Sequence, residues 1–450
     1  MAARVPANFR RVILAAAGGN VIEWYDFYIF GSLAGVLAVK FFDKTHPVAA
    51  LLSTIALFTA GFLVRPLGAF LFGWLGDRVG RKYTFLMTLT GMALGTGAIG
   101  LIPTIDQIGV AAAFILFGLR MVQGLCLGGQ YGGAITYVAE HVSDERRGYY
   151  TGWLQTSPTL GIVLSLIIII ATRRWFGDAD FNAWGWRVPF LVSFLLVFIA
   201  AYVRTAFEES PIYAEIKAKG QTSKNPWRDA FGNWANGKYV LIATIVVLGQ
   251  GVVWYSSQFW PLIYFLPQVA KLDPLTTAYI VGLGITIGTP SLIFFGWLSD
   301  VIGRKPVILG GMLLAAVTYY PLYKWLLSVT QPGKVDWVTA TLIMAIMMCY
   351  VGMVYGPIGA YLAEFFPSRI RYSSVSVPYH IGNGWGGGLV PFITTWAYTS
   401  SIGAGNSVTT SLGFALIYPI AVPAVCLVLS IFLMRETNHV KIWEEKPQTT

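Results

Sequence analysis

Apolar runs long enough to cross a bilayer recur along the whole chain, separated by short polar turns. They cover roughly residues 12–39, 49–75, 83–102, 108–138, 149–172 and 188–203, and then 239–267, 275–298, 306–327, 338–363, 372–398 and 412–434. At about 1.5 Å of rise per residue, some 20 apolar residues span the hydrocarbon core, so the pattern predicts twelve transmembrane helices. One long polar stretch splits them six and six. The expected organisation is a helical bundle at 1–203, a linker at 204–238, a second bundle at 239–435 and a short tail at 436–450.

A short motif marks this division as a duplication. Gly73-Trp74-Leu75-Gly76-Asp77-Arg78-Val79-Gly80-Arg81-Lys82 returns as Gly296-Trp297-Leu298-Ser299-Asp300-Val301-Ile302-Gly303-Arg304-Lys305, with Asp77 and Asp300 223 residues apart. Glu140 is echoed by Glu364 at an offset of 224. Each motif ends one apolar run and starts the next, which is the place of a tight basic turn between two spans.

With 56% hydrophobic and 12% charged residues and a mean hydropathy of +0.63, the chain reads as a membrane protein rather than a soluble one. A net charge of +10 would suit nucleic acid if it formed one stripe, but the basic residues cluster in alternate loops. Counted by side, 21 Lys and Arg fall on one face of the membrane and 8 on the other. The positive-inside rule makes the richer face cytoplasmic and puts both termini there. Arg4, Arg10 and Arg11 precede a first span too long for a signal-peptide core, so that helix is expected to be retained. Cys126, Cys349 and Cys426 lie inside apolar runs and suggest neither a disulfide framework nor a metal site. No cofactor motif, phosphate loop or nucleophile–base pair appears, so the chain is read as a carrier and not an enzyme. The glycine run 382–388 sits in a span with no preceding strand, which favours close helix packing over nucleotide binding.

The doubled turn resembles the signature of the major facilitator superfamily, and Arg120-Met121-Val122-Gln123-Gly124 is similar to that superfamily's Arg-x-x-Gln-Gly motif. Gly19-Asn20-Val21-Ile22-Glu23-Trp24-Tyr25-Asp26-Phe27, Arg65-Pro66-Leu67-Gly68, Gly128-Gly129-Gln130-Tyr131-Gly132-Gly133, Gly185-Trp186-Arg187-Val188-Pro189-Phe190 and Glu209-Ser210-Pro211 resemble its metabolite:proton symporter branch, which carries shikimate, proline and betaine, α-ketoglutarate or citrate. The resemblance implies an all-α integral membrane protein with twelve transmembrane helices in two pseudo-symmetric six-helix bundles, working by alternating access. It also implies a cytoplasmic gate in which Asp77, Arg81 and Glu140 meet at the end of one half and Asp300, Arg304 and Glu364 at the end of the other. Branch members usually have Glu where this chain has Gln130, which puts the usual coupling chemistry in question and leaves open whether the change is natural or engineered.

Charged side chains within spans are costly and mark substrate or proton paths. Glu23, Asp26, Arg65 and Arg120 fall at similar depths on three helices, each about 18 Å along its helix from the nearest end, with Asp26 about 4 Å beyond Glu23. Two readings stand. The four form a self-neutralising structural network, or Arg65 and Arg120 hold a substrate carboxylate bidentately while Asp26 or Glu23 takes up the proton. Asp26 is slightly preferred for the proton. Gln123, Gln130 and Tyr131 share a stripe with Arg120 and either line the cavity or bond between helices. Trp254, Tyr255 and Gln258 form an aromatic and amidic patch, and His380 and Asn383 are weaker candidates for substrate contact.

The expected protein is a proton-coupled importer of a small organic acid in a bacterial inner membrane, functional as a monomer, with protons, an organic anion and lipid as its partners. A proline/betaine-like carrier, holding a quaternary or imino nitrogen by cation–π attraction, is the alternative. A non-transporting sensor is disfavoured by the short tails. Reporter fusions at the C-terminus and near Lys219 should both report cytoplasm, and a periplasmic signal from either would overturn the topology.

Overall fold

The computed structural model describes residues 9–79, 81–205, 232, 234–367 and 371–442, and helices occupy all twelve expected stretches. Among the described residues, eight helices are long and apolar enough to cross a membrane. Asn20–Ser32 and Ala34–Phe41, bent by 60°, pass the same test as one broken span, making nine. Met87–Ile99 and Arg187–Leu196 are shorter apolar helices. Residues 206–231 of the expected linker and 443–450 of the expected tail lie outside the described residues.

Several spans that read as continuous in sequence are broken. The second is split into Pro47–Leu63 and Arg65–Val79, because Pro66 has no N–H to continue the ladder. The fourth is split into Ala111–Gly128 and Tyr131–His141. The seventh passes from an α-helix, Trp234–Trp254, into the π-helical segments Tyr255–Phe259 and Pro261–Val269, and the eleventh contains the π-helical His380–Gly387. Pro261, Pro267 and the glycine run loosen the ladder there, and wide π turns are commonest near functional sites. Hydropathy registers only that these segments are apolar, so none of these breaks is visible in it.

The core is apolar, as in a soluble protein, but so is much of the surface, and some charged and amide groups are buried inside. Phe432 (82% exposed) and Phe114 (71%) stand on the outside, while Arg65, Arg120, Gln123 and Gln250 are completely buried. Outward apolar and inward polar side chains fit a lipid surround.

The two halves meet most closely where the helix Arg147–Asp180 crosses Pro290–Ile302. A Cβ on Gly296 would stand 2.5 Å from the Gly148 carbonyl oxygen and 3.3 Å from the Gly152 Cα. Only glycine permits this approach, and the contact closes one end of the molecule. Gly296→Val should therefore destabilise this conformation by about 1–3 kcal/mol, the usual cost of overpacking. The measurement is cysteine accessibility at the terminus-bearing end, which should rise. Unchanged accessibility with a normal melting temperature would show that the crossing does not hold the halves together.

Candidate functional site

Arg65 sits at the break in the second span, and its guanidinium carbon lies over the rings of Phe62 (4.2 Å), Phe27 (4.8 Å) and Trp24 (5.2 Å). It is fully buried, and none of its three nitrogens has a hydrogen-bond partner among the described residues. Cation–π contact is worth roughly 2 kcal/mol when desolvated. That offsets part of the burial of the charge but satisfies none of its five N–H donors. Arg120 is held differently. Its Nη1 donates to Gln123 Oε1 (2.7 Å) and Nη2 to the Phe58 carbonyl (3.3 Å), while Gln123 Nε2 donates to Thr96 Oγ1 (2.6 Å). Its guanidinium also lies over Phe30 (4.4 Å) and Phe27 (4.5 Å), so both arginines share the Phe27 ring. Neither makes an ion pair with a described residue. Gln123 thus acts by positioning Arg120.

The second half closes over this pair. Tyr255 packs edge-on against Phe62 at 5.1 Å, and its hydroxyl, without a partner at hydrogen-bond distance, faces Arg65 and Tyr28. Gly384 lies against the Arg65 stem, where a Cβ would come within 3.6 Å of Cδ. His380 is buried within electrostatic reach of Arg65 and faces the Gly128 backbone, with neither ring nitrogen at ordinary hydrogen-bond distance from a described residue. Trp254 Nε1 donates to Tyr28 Oη at 3.1 Å.

Other expected site residues face elsewhere. Asn383 Nδ2 donates to Gln250 Oε1 (3.2 Å) and Gln258 Nε2 to Met348 Sδ (2.7 Å). Gln130 stands at the break in the fourth span and donates to Thr88 Oγ1 at 3.1 Å, while its neighbour Tyr131 points to the second half. Asp26 is fully buried; Ser193 and Glu23 are the polar groups acting on it, and neither carboxylate oxygen accepts a hydrogen bond of ordinary length. Glu23 is also fully buried.

Aromatic pairs close the arginine site on two sides, each pair drawing one ring from each half. Phe58 stacks on Phe259 at 4.7 Å and 15°. Tyr131 stacks on Tyr379 at 3.2 Å, with the Tyr379 hydroxyl 3.0 Å from that of Tyr355 and Gln155 Nε2 donating to Tyr131 Oη at 2.9 Å.

Beyond the tyrosines, at the end that bears both chain termini, lies a buried ionic cluster. Arg304 donates to Glu364 through Nε (3.2 Å) and Nη2 (2.9 Å) and pairs with Asp300 at 2.7 Å. The Asp300 carboxylate also accepts from the backbone N–H of Gly148 and Tyr149, both at 2.8 Å, at the start of a helix in the other half. Arg147 pairs with Glu364 at 2.9 Å and with Asp144, and Arg371 pairs with Glu140 at 3.0 Å. Asp300, Arg304 and Glu364 are thus brought together, whereas Glu140 meets a base from the opposite half. The side chains of Asp77 and Arg81 lie outside the described residues. Arg147 and Arg371 were missed in sequence because they sit among topology-setting basic residues. Their offset, 224 residues, equals that of Glu140 and Glu364 and was the available signal.

Two helical halves closing over a buried charged site define a membrane transport protein. The chain belongs to the major facilitator superfamily, whose profile matches residues 16–391. It is 31% identical over 448 residues to the inner membrane metabolite transport protein YhjE of Escherichia coli K12, covering 96% of each chain. It is 31% identical to the citrate-proton symporter of Salmonella typhi, over 88% of this chain and 90% of that one. Identity to the proline/betaine transporter of E. coli K12 is 30%, over 88% of this chain and 79% of that one. Among solved structures, the proton:xylose symporter XylE superposes with a TM-score of 0.75 over 98% of both chains at 17% identity, a likeness of fold alone. The protein is accordingly a multi-pass membrane transporter and not an enzyme.

Removing one partner of a buried ion pair costs about 3–5 kcal/mol because the other charge is stranded. Glu140→Arg should therefore open the terminus-bearing end to thiol reagents, and Glu140→Arg combined with Arg371→Glu should close it again. A double variant as open as the single one would show that this pair does not hold the gate.

Proposed function

We propose that the protein is a symporter that brings a small organic acid and a proton together into a bacterial cell by alternating access across the inner membrane, acting as a monomer with both termini in the cytoplasm. The observation that carries this reading is the Arg65 guanidinium, buried, ringed by aromatics and, among the described residues, with no carboxylate paired to it and no acceptor at hydrogen-bond distance, the Tyr255 hydroxyl being the group that faces it. A cation left unsatisfied in a low-dielectric site calls for an anion, and its planar fork fits a carboxylate bidentately. Arg120, fixed by Gln123 and Phe58, raises the potential of the site, and Tyr255, Tyr379 and His380 are polar groups of the second half within electrostatic reach of Arg65. Transport names among the relatives, citrate–proton symport in particular, support the class. A proline or betaine substrate is the weaker reading: its carboxylate would suit the arginines, but the same charges repel its cationic nitrogen, and the rings of Trp24, Phe27 and Phe62 already face a guanidinium.

In this reading the terminus-bearing end is the closed cytoplasmic gate, and the conformation is occluded and poised outward. Asp26 is the proton carrier. It is fully buried with no counter-ion among the described residues, and its place on the helix of Phe27 links its charge to the arginine site. Glu23 is the alternative acceptor on the same helix.

Two outcomes test the proposal. Arg65→Ala should abolish binding of whichever acid in a mono-, di- and tricarboxylate panel binds the wild type, measured by calorimetry in detergent, and Arg65→Lys should recover little. Unchanged affinity in a stable Arg65→Ala protein would make the residue structural. Asp26→Asn should lose accumulation driven by a proton gradient while keeping substrate exchange in proteoliposomes, because exchange need not return an empty, deprotonated carrier. Normal accumulation by Asp26→Asn would move the coupling site elsewhere, with Glu23→Gln the next variant to measure.

A further inference from the structure

Between the halves, at the end opposite the termini, lies a cavity of about 480 Å³. Its polar lining comes from both halves: Ser32, Lys40, Arg173 and Asn182 from the first, Gln268 and Thr277 from the second. Among the described residues no carboxylate lines it. Of the acids nearby, Asp178 pairs with the lining Arg173 through Nη1 at 2.5 Å without occupying its Nε, Asp106 pairs with Lys44 at 2.6 Å, and Asp273 caps the helix Pro274–Gly288 by accepting from its backbone N–H groups. Three lining atoms are buried without a partner: Ser32 Oγ, Arg173 Nε and Thr277 Oγ1. Arg173 and Thr277 are themselves only 6% and 3% exposed. Buried donors of this kind are normally satisfied by protein, water or ligand.

The cavity is in series with the arginine site. Gly31 lines it, and the ring that a Cβ on Gly31 would strike is that of Phe259, the same ring that stacks on Phe58. One aromatic layer therefore separates the cavity from Arg65 and Arg120. Its size falls in the range of small-molecule sites, about 300–1,000 Å³.

We propose that this cavity is a second, outer anion-binding site, in which Lys40, the free Arg173 Nε and the Ser32 and Thr277 hydroxyls hold a small carboxylate before the Phe58–Phe259 layer parts. The inference rests on the reading of the cargo as an organic anion. Basic walls of low dielectric raise the local anion concentration, so the outer site selects by charge and the inner site by the geometry of a guanidinium.

The test uses full-length protein in nanodiscs carrying Gln268→Cys, with labelling of the parent protein subtracted. Two methanethiosulfonate reagents of similar size are compared, one bearing a sulfonate and one a trimethylammonium, each rate being normalised to a free thiol. The sulfonate should react about tenfold faster, and Lys40→Gln should bring the ratio close to one. Equal rates, or a ratio that Lys40→Gln leaves unchanged, overturn the proposal. Succinate and citrate are then added as competing anions. At least one should slow modification by the sulfonate, should do so equally in Arg65→Ala, and should fail to do so in Lys40→Gln. Protection lost in Arg65→Ala assigns the anion to the deeper site alone and overturns the proposal, as does absence of protection by both acids. If charge selectivity and protection persist while Arg65→Ala leaves total acid binding unchanged, the reading of Arg65 falls and that of the outer cavity stands.

Discussion

Two permanently charged guanidiniums held side by side in a buried aromatic box are the constraint around which the rest of this molecule is arranged. Water would solvate them easily; lipid and protein do not, and each buried charge costs on the order of several kcal/mol unless something answers it. The chain answers Arg120 with an amide and a carbonyl and gives Arg65 ring faces and, beyond them, the Tyr255 hydroxyl. The Phe27 ring, shared between them, is therefore a separator as much as a wall. In the proposed reading, a site in electrostatic deficit gains most from an anion, and that gain would offset the dehydration of a carboxylate leaving water.

The closures around the site differ in chemistry, and the difference has a physical reason. Next to the arginines the layers are aromatic, Phe58 with Phe259 and Tyr131 with Tyr379, because stacked rings exclude water without adding a competing charge. Farther out, at the terminus-bearing end, the contacts are ionic. Asp300 there receives two backbone N–H groups at a helix start, where the partial positive charge of the terminus adds to the pairing. Ion pairs have defined partners and break discretely, which suits a contact that must have two states.

The arginines were legible in the sequence because a charge inside an apolar run stands out against its surroundings, and depth follows from helical rise alone. The duplicated turns were legible because repetition at a fixed offset needs no structure to detect. The direction of side chains beyond a helix break was not. Gln130 and Tyr131 are consecutive, yet one faces Thr88 in its own half and the other Tyr379 in the second, because the chain changes course between Gly128 and Tyr131. The π-helical segments that bring Tyr255 and His380 to the level of Arg65 likewise depend on tertiary packing. Arg147 and Arg371 were hidden by their neighbours, since a basic residue in a turn on the more basic side already has a sufficient explanation.

The cross-pairing of Arg147 with Glu364 and of Arg371 with Glu140 carries an implication about origins. Each acid and each base recurs 224 residues later, and each acid is bound by the base of the opposite half. Residue i meeting j while j meets i is the rule for an isologous contact between identical subunits related by a twofold axis. Two copies of an undivided half-length ancestor could have made both pairs with a single pair of residues per chain. Joining two such copies in one chain would remove the need for identity and let one half carry a guanidinium pair and the other the aromatic and glycine-rich surface that covers it, while the seam keeps a twofold pairing.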